Sequence, residues 1–185
     1  MKYYTEKPIE VEILECIMKD LSIEKNKITK EDYFKLKKYL SEKKKPTEIK
    51  EEVYKSKRLD VSKGTIRKLK NFLCNTTLVR DNLILPYIYE ADGMLVLEKL
   101  RDEFKIFNFK KPPYIGFLFV LEYLGMGEIV KDDENREIIG FKGYKDKIEE
   151  FYGKDTIDRL MKEEREQLKK ERSKLGKLIY YPITI

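Results

Sequence analysis

Apolar residues recur at helical spacing through the N-terminal half of the chain. Val11, Ile13, Leu14, Ile17, Met18 and Leu21 line one broad face between Pro8 and Leu21, the pattern of an amphipathic helix. Thr29 followed by Asp32 fits a capping box for a helix reaching Ser41, with Phe34, Leu36 and Leu40 as its expected buried side. The stretch from Pro46 to Leu73 divides into a short helix, with Thr47 as cap and Ile49 and Val53 on one face, a polar turn, and a second helix that begins after Ser62.

Beyond this the pattern alternates between β-prone runs and helical ones. Leu78 to Arg80 and Leu83 to Ile88 flank Asp81-Asn82 and predict a small hairpin. Leu95, Leu97, Leu100 and Phe104 predict a helix from Met94 to Phe104. The run YIGFLFVLEYLGMG, starting at Tyr114, is apolar nearly all round and predicts a buried helix ended by Gly125 and Gly127. Glu128 to Lys131 and Arg136 to Phe141 read as two strands, and Tyr144 to Tyr152 and Thr156 to Lys174 as helices. In the last of these Ile157, Leu160, Met161, Leu168 and Leu175 are partly heptad-like. The end, LIYYPITI, is apolar enough to be expected to dock.

The fold class is therefore mainly α with small β-hairpins (α+β), divided into residues 1–90 and 91–185. Helix followed by hairpin occurs in both parts. The second part reads as a degenerate copy of the first, a dimerising or sensing region, or a structural extension of the first core. The stripes at Pro8 to Leu21 and Ile157 to Leu175 imply either a homodimer or a fold-back on the same chain.

Composition narrows the class. The 185 residues are 41% hydrophobic and 40% charged, enough apolar material for a core. The longest apolar run, Tyr114 to Met126, contains Glu122 and is 13 residues long, short of the roughly 20 that a membrane span needs. The start shows no basic end before an apolar run, so a soluble, cytoplasmic protein is expected. Abundant Lys and Glu beside a single Gln lean towards a thermophile, and richness in Lys, Ile, Tyr and Asn towards an AT-rich genome such as an archaeal one. With two cysteines, no CxxC and no histidine, Cys/His metal sites are excluded.

Charge sharpens the picture around the second helix of the Pro46–Leu73 pair. Residues 25–70 hold 17 Lys or Arg against 7 Asp or Glu, a net of +10, whereas the whole chain is +6. Clustered cations are the footprint of a polyanion site, because binding there releases condensed counterions. At 100° per residue, Ile66, Leu69 and Leu73 share one arc with Phe72 at its edge, while Lys63, Gly64, Arg67, Lys68 and Asn71 lie opposite. Arg and Asn can bind purine edges bidentately, Lys neutralises phosphate, and Gly64 permits close approach. A merely solvated charged face is the alternative. Lys57 and Arg58 in the turn, with Lys70 and Arg80 nearby, complete the candidate contacts to double-stranded DNA.

Helix, turn, helix, then hairpin is the order of a winged helix-turn-helix domain. The phrase DVSKGTIRKLKNFL resembles the recognition helix of that superfamily as found in prokaryotic transcription regulators, and the resemblance covers residues 29 to 89. It implies duplex recognition in the major groove by residues 63–73; the short wing departs from the superfamily's pattern, and minor-groove contact by the wing is not expected.

Catalysis is not expected. There is no histidine base, no phosphate-binding G-x-x-x-x-G-K-[ST] loop and no G-x-G-x-x-G. Glu48 and Lys50 echo the E-x-K end of some metal-dependent nucleases, without an evident upstream carboxylate partner. A scaffold role in a nucleoprotein assembly, with the domain used for protein contact, is the other alternative. No cofactor or metal is implied.

Overall fold

The computed structural model describes residues 7–74, 94–96, 115–134 and 137–175. Among these are seven α-helices, α1 (Ile9–Asp20), α2 (Lys30–Lys38), α3 (Pro46–Lys57), α4 (Lys63–Cys74), α5 (Ile115–Tyr123), α6 (Lys145–Tyr152) and α7 (Lys154–Leu175). Three short strands accompany them, β1 (Met94–Val96), β2 (Gly127–Lys131) and β3 (Ile138–Gly143). The class is thus mainly helical α+β. The expected hairpin at Leu78 to Ile88 and the apolar C-terminus lie outside the described residues.

Local chemistry accounts for the helix starts. Thr29 and Asp32 form the capping box read from the sequence: Thr29 N–H donates to the Asp32 carboxylate at 3.0 Å and Asp32 N–H to Thr29 Oγ1 at 3.2 Å. α3 begins at Pro46, one residue before the expected cap Thr47, and Lys45 is its N-cap. Proline's fixed φ suits the first helical position, where a missing N–H costs nothing.

A single core runs through both halves of the chain. Ile13, Leu14 and Ile17 of α1, Ile66, Leu69 and Phe72 of α4, Leu118 and Val120 of α5, Phe151 of α6 and Ile157 of α7 all belong to it. α1 packs on α3, α4 and α5. The Phe72 and Phe117 rings stack with centroids 4.1 Å apart and planes 6° from parallel, joining α4 to α5. Tyr152 donates its hydroxyl to the Phe72 carbonyl at 3.0 Å, and Tyr33 donates to the Leu124 carbonyl at 2.7 Å. Among the described residues, those of the second part pack on the same core as the first. The N-terminal stripe and, of the C-terminal one, Ile157, Leu160 and Met161 are buried within the chain itself, and Leu168 and Leu175 lie outside the described side chains.

Two elements differ from expectation. Met94–Val96 is a strand, not the start of a helix. It pairs antiparallel with β3, Leu95 opposite Phe141, in a sheet of order β1-β3-β2, since a short apolar run takes its conformation from an available partner. In α2, Phe34 is 70% exposed, while Tyr33 and Leu36 are buried together with Tyr39 and Leu40 of the π-helical turn (Tyr39–Lys43) that continues it. Counting 100° per residue puts Tyr33, Leu36, Tyr39 and Leu40 within one arc and Phe34 opposite.

The remainder follows the pattern. α5 is buried as anticipated, and Glu122 inside it accepts the Ile129 N–H at 2.6 Å, tying the helix to β2. Gly127 is required at the strand start, because a Cβ there would lie 2.4 Å from the Lys142 carbonyl oxygen and the Phe141 ring. β2 and β3 pair antiparallel with a register shift after Val130, and Ile139, facing that shift, is exposed.

Candidate nucleic-acid interface

The connection between α3 and α4 is pinned at several points. α3 ends at Arg58, whose backbone is left-handed (φ 56°, ψ 29°) and whose N–H donates to the Tyr54 carbonyl at 2.9 Å. Val61 is buried in the connection. Lys50 donates to Asp60 Oδ1 at 2.9 Å and to the Val61 carbonyl at 3.0 Å, holding the connection against α3. Ser62 Oγ accepts the Thr65 N–H at 3.1 Å, satisfying one of the free donors at the start of α4. These contacts fix where α4 emerges and how it is rotated.

That rotation sorts the side chains of α4. Ile66, Leu69, Phe72 and Leu73 are buried, and burying each such side chain is worth about 1.5–3 kcal/mol. Lys63, Gly64, Arg67 and Lys68 are exposed on the opposite side. The backbone at Gly64 is ordinary helix, and an added Cβ would meet only Ser62 Oγ, at 3.7 Å, so neither packing nor backbone geometry calls for glycine there. Lys70 and Asn71 are half-buried, and Asn71 already has a partner. The open face is thus confined to the first two turns of α4. Among the described residues, no carboxylate pairs with Lys63, Arg67, Lys68 or Lys70.

The turn residues fare differently. Arg58 is exposed, with its guanidinium 5.9 Å from the Tyr54 ring centroid. Lys57, expected to face phosphate, instead bonds Glu12 and Glu15 of α1. Lys7 joins the same group through Glu15 and, at 3.4 Å, Glu12. Burial works against the Lys57 charge, but the bonds to the two carboxylates outweigh it and raise the pKa. Glu15 mirrors this: burial pushes its carboxyl up, and the bonds from Lys57 and Lys7 more than reverse the effect, leaving it below the usual range. Lys57 is a tie between α3 and α1, and a sequence cannot show it because its partners lie more than forty positions away. Arg80 lies outside the described residues.

Other candidate chemistry is weaker. The Lys50 ammonium, the cation of the Glu48–Lys50 pair, is engaged with Asp60 and the Val61 carbonyl. Among the described residues no three His, Cys, Asp or Glu side chains gather as a metal site, and no helix is long and apolar enough to cross a membrane. A cleft of ≈ 330 Å³ between α1, α5 and β2 is lined by Lys7, Glu15, Lys25, Phe119, Glu122 and Tyr123. Its charges largely serve the fold: Lys7 bonds Glu15, Glu122 holds the Ile129 N–H, and Lys25 sits 4.8 Å from the Tyr123 ring centroid. Burial raises the Cys16 and Cys74 thiols above their ordinary pKa, which disfavours the nucleophilic thiolate. No family model matches the chain, and comparison with curated proteins and with solved structures finds no significant match.

Proposed function

We propose that the chain is a sequence-specific double-stranded-DNA-binding protein of the winged helix-turn-helix kind, a cytoplasmic transcription regulator that reads the major groove with the first two turns of α4. The observation that carries this reading is the outward face of α4. It presents Lys63, Arg67 and Lys68, which have no carboxylate partner among the described residues, around an exposed Gly64, in a helix that contains no acidic residue. Unpaired cations that the fold does not use give up only hydration when they meet phosphate, whereas a paired lysine must first break its ion pair. Arg67 is the residue suited to a guanine edge, Lys63 and Lys68 to flanking phosphates.

Selection of bound duplexes from a randomised pool tests the reading. The expected outcome is enrichment of a short motif, and loss of that enrichment when Arg67 is replaced by Ala. A homodimer on DNA would set two α4 helices on half-sites about 34 Å apart, and sedimentation of the selected complex distinguishes one copy from two.

A further inference from the structure

Arg58 is a residue the fold does not ask for. Left-handed backbone at a helix end is ordinarily supplied by glycine or asparagine, and the hydrogen bond made here uses only the backbone N–H. The side chain pairs with no carboxylate among the described residues. It lies over Tyr54, one turn back on α3, a residue that is 52% exposed and whose hydroxyl makes no hydrogen bond among the described residues. Lys55 and Lys63 are exposed on either side in sequence.

We infer that Tyr54 is a positioning residue that holds the Arg58 guanidinium against its ring as a preformed contact to a DNA phosphodiester flanking α4. This rests on the reading of α4 as the DNA-contacting helix. With the guanidinium carbon 5.9 Å from the ring centroid, the ring can attract the cation and still leave N–H donors available for a bidentate bond to phosphate. Because the ring restrains the long side chain beforehand, less rotamer freedom is lost on binding. Phosphate, not a base, is the partner, since Arg58 precedes α4 and flanks the outward face without belonging to it.

The test measures duplex affinity against salt concentration and thermal melting for Arg58→Gly, Tyr54→Ala, Tyr54→Phe and the Tyr54→Ala/Arg58→Gly pair, on the full chain. Arg58→Gly is expected to raise the melting temperature by about 2–4 °C, because glycine fits the left-handed position. It is also expected to weaken binding about tenfold and to lower the salt slope by about one. Tyr54→Ala is expected to weaken binding about threefold with the slope retained, Tyr54→Phe to bind like wild type, and the double variant to match Arg58→Gly, as coupled neighbours do. If Arg58→Gly binds as tightly as wild type while a Lys63/Arg67/Lys68→Ala variant is impaired, the inference is overturned and the α4 reading stands. If Tyr54→Ala adds its full effect to Arg58→Gly, the positioning role is refuted. A wild-type chain that binds no duplex overturns both.

Discussion

α3 and α4 are neighbours of equal length and both carry a row of cations, but they use them in opposite ways. On α3, Lys50 reaches Asp60 and the Val61 carbonyl, Lys57 reaches Glu12 and Glu15, and Glu52 takes Lys44. On α4, Lys63, Arg67 and Lys68 stand exposed with no carboxylate partner among the described residues. The difference teaches that charge density along a sequence does not measure the charge a partner can reach. Availability is set by which carboxylates the tertiary fold brings close, and α1 supplies two of them to α3.

The largest expected effect lies on the inner side of α4. Phe72→Ala removes a ring stacked on Phe117 in a fully buried position and should cost about 3–5 kcal/mol of stability, read by urea unfolding. A loss under 1 kcal/mol would mean that α4 is not anchored as described. On the outer side, Arg67→Ala should leave stability within about 0.5 kcal/mol and reduce discrimination between selected and random duplexes by about 1–3 kcal/mol. Equal losses on both duplexes would make Arg67 a phosphate contact.

Much of this contrast is legible in the sequence. The two faces of α4 follow from periodicity, the start of α2 from Thr29 and Asp32, and α5 from its unbroken apolar run. The burial of Tyr33 and Tyr39 in place of Phe34 follows from the same angular count, which sets Phe34 opposite Leu36 and Leu40. Other features need the third dimension. The ties of Lys57 to Glu12 and Glu15, the pairing of Leu95 with Phe141, and the stacking of Phe72 on Phe117 each join residues more than forty positions apart. No local pattern encodes such partners.

A smaller effect tests the α3 side. Glu15→Gln should destabilise the chain by about 1 kcal/mol at neutral pH, the upper range for a part-exposed pair, without changing duplex affinity. The native Glu15 pKa is lowered, so folding favours its ionised form. Its contribution is complete above the ordinary carboxyl value of about 4.3 and is lost as pH falls through the lower native value. The stability difference between wild type and Glu15→Gln should therefore close in acid. A difference that grows as pH falls would contradict the ion-pair assignment. The smallest effect is at Gly64, where alanine should gain about 0.5–1 kcal/mol of stability while weakening DNA binding. Unchanged binding would show that no backbone approaches Gly64.

The most direct measurement is the salt dependence of duplex affinity for wild type beside the Lys63/Arg67/Lys68→Ala variant, with both shown to melt alike. Removing two phosphate-neutralising lysines together with the base-reading Arg67 should reduce the slope of log K against log salt by about two and lower affinity at moderate salt by about 100-fold. A variant that keeps the wild-type slope and affinity would contradict the claim that α4 meets the DNA.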